Sequence, residues 1–293
     1  NRVGVLGHYY CGMLDVYSDL TQQSATFGNH FELLEMCELN QYRENATEKQ
    51  IDEKVKQFYD EFIVDDECGE FELRRAAKTS VALDVLIEKN QLGAMAYYYD
   101  SVDGNKYQDI ITSVIAGNTL LTAHHIPIAG ECEIKNVQAM KIMDEFGAGG
   151  SFSELYSMDF NEDVIMFGHD GPAHFAIAED KVKLVPLSVY HGKPGKGLSI
   201  QMRVKNGPVT LLAVVQDGSR KLKLLVAEGK SVPGPIFEIG NTNSRYKFNM
   251  SAKEFMNKWC MAGPAHHCAI GTGHISGKIE KLAAIFDMEI IKV

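Results

Sequence analysis

The sequence predicts an α/β protein in which a parallel-sheet, Rossmann-like domain over residues 1–150 is followed by a mainly antiparallel, β-barrel-like domain over residues 151–293. Three observations carry this reading. In the first half, short apolar runs alternate with segments of helical apolar spacing, the pattern of a parallel sheet covered on both faces. In the second half the apolar period changes to two, and the dipeptides Asn206-Gly207 and Asp217-Gly218 offer the positive φ that tight hairpins require. The chain, at 293 residues, is long enough for two domains that each bury a core.

Along the chain, residues 2–6 form an apolar strand ending at Gly7, and Leu14, Tyr17 and Leu20 then recur at helical spacing. Thr47 with Gln50 three residues later fits a capping box. Ile51, Val55, Phe58 and Phe62 mark the buried stripe of the helix it opens, and the charges of 52–56 and Asp60 form its solvated face. A further helix spans about 70–89, with Leu73, Ala77, Val81 and Val85 on one side. Gly93 opens a strand over 94–99, a helix over 107–116 follows, and a short apolar segment at 126–129 carries Pro127. Ligands in such sheets sit beyond the carboxyl ends of strands, where Asp100 and Glu131 both fall. The helix marked by Ile134, Val137, Met140 and Ile142 ends at glycines 147, 149 and 150, which set the domain boundary. Beyond it, strands are expected over 199–204, 210–216 and 221–227, helices over 251–259 and 277–286, and a last strand over 289–293.

Composition narrows the function classes. A formal net charge of −10 without a basic cluster disfavours nucleic acid and anionic membranes as partners. The longest apolar stretches, such as 81–87, are far shorter than the roughly 20 residues that span a bilayer. Six cysteines without a CxxC pair point to a reducing, cytoplasmic setting, and the sequons at Asn45 and Asn249 carry little weight without a signal peptide. The chain opens at Asn1 with a core strand already under way, so a fragment of a longer protein is expected.

Three constellations could carry chemistry. Gly130-Glu131-Cys132-Glu133 places two carboxylates at a strand-to-helix turn, and alone reads equally as acids favoured by a helix dipole. Glu154, within 151–156, and His169, within 167–172, each stand beside turn or glycine residues and can converge at strand ends. Alone, His169 also reads as a structural turn histidine. The loop 262–268 presents His266 and His267, and because adjacent side chains of an extended segment point apart, at most one is expected to face a given metal. His124-His125 reads as packing at a strand start. Two carboxylates and two imidazoles together form a mixed oxygen and nitrogen set suited to octahedral Mn²⁺. Zinc would favour fewer ligands with more sulfur or imidazole. The glycine-rich segments 271–277 and 191–197 lack the spacing of dinucleotide and phosphate loops, no G-x-S-x-G elbow is present, and no cysteine has a nucleophile's context.

These residues give the chain a resemblance to L-arabinose isomerases, within the wider L-fucose and L-arabinose isomerase group. It runs over essentially the whole chain and is strongest at 129–131, 150–154, Gly168-His169 and 262–267, with further likeness at Gly207-Pro208 and residues 7–28. The resemblance implies that Glu131, Glu154, His169 and His267 bind a divalent metal, Mn²⁺ by preference, and that Glu131 and Glu154 also handle protons. It further implies that Tyr10, Tyr99 and His169 line a sugar site and that the protein is a cytoplasmic homo-oligomer, a trimer or hexamer. The implied reaction is aldose–ketose isomerisation of L-arabinose, L-fucose or a related sugar through a cis-enediol; a metal-dependent epimerase or aldolase and a non-catalytic sugar binder are the alternatives. Family members carry an additional N-terminal α/β domain that lends pocket residues to a neighbouring subunit and that this chain lacks. They also have Glu-Gly-Asp where this sequence has Glu131-Cys132-Glu133, and Gly-Gly-Ala-His-His where it has Gly263-Pro264-Ala265-His266-His267, so a different sugar is expected.

Overall fold

The computed structural model describes all residues except Asp103, Ser188, His191, Gly192, Gly195 and Gly240. The segment 191–197, set aside above as a phosphate loop, lies outside the described residues at three of these positions. The first half builds a parallel sheet in the order His30–Leu34, Arg2–Gly7, Ala94–Tyr98, Ile128–Ala129. Strands on both sides of Arg2–Gly7 make its carboxyl end, and that of Ala94–Tyr98, a topological switch point where a crevice opens.

Local chemistry sets the helices. The expected capping box is present: Thr47 Oγ1 accepts from Gln50 N, and Gln50 Oε1 accepts from Thr47 N, opening the helix Glu48–Glu61. Ile51, Phe58 and the capping Phe62 are buried, each aromatic contributing about 1.5–3 kcal/mol by burial. Phe62 meets Phe175 of the second half edge-on at 5.3 Å. The helix Glu70–Asn90 buries Leu73, Ala77 and Val81, while Val85 is half-buried.

Two expected helices are redrawn. The helix anticipated from Leu14 starts only at Leu20, because Asp19 accepts from the Thr21 and Gln22 amides and caps it there, and Leu14 is left exposed. The helix anticipated over 107–116 is split into Gln108–Ile111 and Ile115–Ala123. At the break the buried Arg75 guanidinium donates to the carbonyls of Asp109 and Thr112, and Ser113 Oγ donates to that of Ile110. Side chains there compete for carbonyls that a continuous helix would use.

In the second half, six strands among the described residues close an antiparallel barrel, in the order Gly207–Gln216, His267–Thr272, Gly149–Asp159, Val164–His169, Thr242–Phe248, Leu222–Val232 and back to Gly207–Gln216. The final strand Glu289–Lys292 joins Leu222–Val232 in parallel. Asp217-Gly218 does fall between paired strands, but in a loop of residues 217–221 whose left-handed position is Arg220. Asn206-Gly207 makes no hairpin: Leu198–Gln201 pairs instead with Lys183–Pro186, which continues into Ile63–Val64 of the first half. That small sheet and a shared apolar core containing Phe58, Ile115, Leu184 and Leu211 tie the two halves together.

The helix Ile134–Glu145 packs against the barrel strands and ends beside a polar cluster. Asp144 Oδ1 faces His125 Nδ1 at 2.9 Å and His174 Nε2 at 3.1 Å. His174 Nδ1 accepts from Ala176 N, so the proton sits on Nε2 and the ring donates to Asp144. Burial pushes the Asp144 carboxyl up, but the two histidines outweigh it and hold the group below its usual range. A depressed folded value stabilises the fold above the unfolded carboxyl's pKa of about 4, and the contribution disappears as pH falls through the folded value. In urea unfolding at pH 6, Asp144→Asn is expected to be less stable than wild type by about 1–3 kcal/mol, the gap narrowing toward about pH 2. A gap independent of pH would refute the role of the carboxylate charge.

Candidate metal centre

The centre forms where the barrel meets the carboxyl edge of the parallel sheet. Glu131 follows Ile128–Ala129 in an unusual turn, with Glu131 and Cys132 both left-handed at φ 53° and 56°. Non-glycine residues in that region cost on the order of 1–3 kcal/mol each, so surrounding structure must impose them. Here Cys132 N donates to Tyr97 O at 2.9 Å, Glu133 N donates to Gly130 O at 3.0 Å, and the Cys132 side chain is fully buried.

The other three predicted residues come from adjacent barrel strands. Glu154 sits opposite His267 in one ladder and opposite Gly168, the neighbour of His169, in the next. His169, at the end of its strand, lies between the carboxylates of Glu131 and Glu154. His169 Nε2 stands 3.8 Å from Glu131 Oε1 and 4.0 Å from Glu154 Oε1, and His267 Nε2 stands 3.6 Å from Glu131 Oε2. Phe152 packs against both imidazoles, with ring centres 4.4 Å from His169 and 4.3 Å from His267. Gly168 is required by close approach, since a Cβ there would lie 2.2 Å from Thr242 O.

All four residues singled out in the sequence are thus brought together, and three further side chains join them. His266 Nε2 lies 3.4 Å from Glu131 Oε2, so both histidines of the pair approach the same carboxylate oxygen, their rings 3.8 Å apart. The expectation that adjacent side chains diverge fails because the strand begins at His267 and His266 still belongs to the loop. Glu133 Oε2 lies 3.2 Å from His267 Nδ1, the arrangement of a carboxylate that orients a histidine ligand and leaves Nε2 free. Asp170 Oδ1 stands 3.1 Å from His169 Nδ1, and Gly171 N donates to the same nitrogen at 2.9 Å.

The ionisable groups of the centre shift in both directions: burial opposes protonation of His169, yet the Asp170, Glu154 and Glu131 carboxylates raise its pKa. Burial, with the positive charge of His169, His266 and Lys135, lowers the pKa of His267 well below the usual imidazole value and keeps it in the neutral, ligating form. Burial raises the Glu133 carboxyl to about 7 against the opposing pull of Lys135 and His266. Burial also raises the Glu154 carboxyl, opposed by His169 and His266. For His266, burial opposes protonation, yet the Glu131 and Asp15 carboxylates carry the ring to about 9. Glu131 Oε2 and His267 Nε2 are buried without a hydrogen-bond partner. Orphaned atoms of that kind cost about 1–3 kcal/mol each unless something meets them, and a divalent cation accepts both donor types. The chain's donor set therefore fits such an ion.

Tyr10 is stacked on Tyr98 at 4.6 Å and Tyr99 lies edge-on to Tyr107 at 5.8 Å. A cavity of about 30 Å³ beside Glu131 and His169 is lined by Tyr97 and Tyr98, with neither Tyr10 nor Tyr99 in its wall. Asp15 and Lys135 take no part in the sequence reading, and Glu133 and His266 stand there only beside Glu131 and His267. Only their proximity to Glu131 or His267 in the chain, for all but Asp15, could have drawn attention to them.

A barrel that carries a carboxylate and imidazoles on neighbouring strands, completed by a glutamate from a parallel sheet, defines a candidate metal-dependent enzyme of the α/β class. Residues 149–289, which include Glu154, His169, His266 and His267, match the L-arabinose isomerase C-terminal domain. A comparison with curated proteins returned no match. The family points to an isomerase acting on a sugar, and the clusters Glu131–His266–His267 and Glu154–His169–His267 are candidate ligand groups for a metal ion.

Replacing Glu133 with Gln removes the negative charge behind His267. Isothermal titration with Mn²⁺ is expected to show affinity weakened roughly 10- to 100-fold. Unchanged affinity would exclude Glu133 from orienting that ring.

Proposed function

We propose that the protein is an aldose–ketose isomerase for a free sugar, L-arabinose, L-fucose or a related aldose, with Mn²⁺ held by Glu131, Glu154, His169 and His267. The single observation that carries this reading is the convergence of those side chains around orphaned buried atoms, three of them within a stretch that matches the L-arabinose isomerase C-terminal domain. When bound, the ion would supply charge stabilisation and a template for the two sugar oxygens between which the carbonyl moves.

The remaining work falls to the chain. Moving hydrogen between C2 and C1 through a cis-enediol needs a base for the carbon-bound proton and a group to pass protons at the oxygens. Glu131 is buried and surrounded by His169, His266 and His267, whereas the Glu154 side chain keeps 29% of its surface exposed. Glu154 is therefore assigned the carbon-bound proton and Glu131 the transfer at oxygen. Tyr10 and Tyr99 are assigned to the sugar's far end. The reading carries with it a cytoplasmic homo-oligomer, a trimer or hexamer.

Glu154→Gln keeps the shape of the side chain and removes its basicity. It is expected to lower kcat for isomerisation by at least about 10³-fold while leaving the thermal midpoint near that of wild type. Incubation of wild type with a panel of L- and D-aldoses, with Mn²⁺ and then with chelator, should give ketose only in the presence of metal. Full activity of Glu154→Gln would sink the assignment of the base. Metal-independent binding of sugars without any ketose would favour a sugar-binding protein, and cleavage or epimer products would favour a lyase or epimerase.

A further inference from the structure

We infer that Asp15 is a positioning residue that holds His266 at the mouth of the centre as a group distinct from the metal ligands, leaving the ligand place to His267. The inference rests on the isomerase reading above and on its four-residue metal set. Asp15 lies 251 positions from His266 in the chain, on the loop that follows the first strand of the parallel sheet. One of its oxygens, Oδ2, accepts both from the His266 main-chain N at 3.0 Å and from His266 Nδ1 at 2.7 Å. Two bonds to one oxygen fix the backbone and the ring together, and a flip of the ring would lose the second.

The loop bearing Asp15 is itself secured from below. Lys135, at the start of the helix Ile134–Glu145 and nearly buried, donates to the carbonyls of Asp15 and Tyr17 and pairs with Glu133 at 3.4 Å. The two histidines are thus held by different carboxylates. His267 is backed by Glu133 and its side chain is fully enclosed; His266 is backed by Asp15 and its side chain keeps 29% exposure. His266 Nε2 faces the gap between the glutamates, 3.4 Å from Glu131 Oε2 and 4.0 Å from Glu154 Oε2, and is buried without a hydrogen-bond partner. Of the two imidazoles, it is the one a sugar entering from solvent would meet.

The test compares wild type with Asp15→Ala and Asp15→Asn, the amide carbonyl of the latter being able to accept the same two bonds. Three quantities are measured on each: the Kd for Mn²⁺, from free Mn²⁺ by electron paramagnetic resonance; kcat and KM for the best aldose; and, on the metal-free protein, the hydrogen bond of His266 Nδ1–H, from its ¹H shift and long-range ¹H–¹⁵N correlations. Asp15→Ala is expected to lower kcat about tenfold or more while the Mn²⁺ Kd stays within about twofold, and Asp15→Asn to recover most of the loss. Wild-type His266 should show a hydrogen-bonded Nδ1–H, a signal that Asp15→Ala erases. Mn²⁺ binding weakened about tenfold or more in Asp15→Ala, as expected for loss of ligand orientation, would make His266 a ligand and overturn the inference. So would an unchanged kcat. If wild type converts no aldose, the isomerase reading falls, and the inference is then decided by the other two measurements: a lost Nδ1–H hydrogen bond with unaltered Mn²⁺ binding supports it, and an unaltered Nδ1–H signal overturns it. Should Asp15→Ala fail to fold, Asp15→Ser, too short to reach the ring, takes its place in the same comparison.

Discussion

Strand register is the constraint on which the centre depends. His267 lies directly opposite Glu154, so register puts a carboxylate and an imidazole of neighbouring strands on one face, and His169 joins them from the end of a third strand, one position beyond Gly168, the residue paired with Glu154. In a sheet, a slip of one residue turns every side chain to the other face. The barrel's closure, through the long ladder between Gly207–Gln216 and Leu222–Val232, is what makes such a slip costly. Its ten paired positions hold the neighbouring strands in place, and an irregularity between Leu155 and Ser157 absorbs the mismatch just beyond Glu154. The chemistry at Glu154 is positioned by hydrogen bonds that never touch it.

The second requirement is a balance of buried charge. Glu131, Glu133, His169 and His267 are all buried within a few ångströms of one another, and charges so placed are tolerated only when paired. Lys135 answers Glu133, Asp170 answers His169, and Asp15 answers His266. What remains is the neutral imidazole of His267 facing the Glu131 carboxyl group, two donors that a cation would share. The two left-handed residues at Glu131 and Cys132 fit the same picture, since backbone strain of this sort survives where packing and hydrogen bonds leave no alternative.

Much of the fold was legible because its signals are local. The capping box at Thr47, the apolar stripe of Glu48–Glu61, the strands Arg2–Gly7 and Ala94–Tyr98 and the shift to period two each arise from residues adjacent in sequence. The misreadings share a cause. Arg75 interrupts the helix at Thr112 from 37 residues away, and Asn206-Gly207 loses its hairpin because Leu198–Gln201 finds a partner upstream. The strand Thr242–Phe248, whose five buried positions include Arg245, gave no alternation to read. At the centre, the four residues singled out do converge, but the partners that orient them were hidden. Asp15 is brought to His266 by the meeting of two sheets, and no spacing in the chain announces it. His266 was discounted by a rule for extended backbone that does not hold one residue before a strand begins.

The small sheet that joins Ile63–Val64 to Lys183–Pro186 bears on how this chain can be divided. Cut at residue 150, the barrel half would lose Phe58, Phe62, Leu73 and Ile115 from its core and would present Lys183–Pro186 with an unpaired edge. Open edges recruit other strands. The isolated barrel, although it carries three of the four predicted ligands, would thus be prone to self-association, and the parallel-sheet half acts as its covering as well as the source of Glu131. Function and solubility are secured by the same junction.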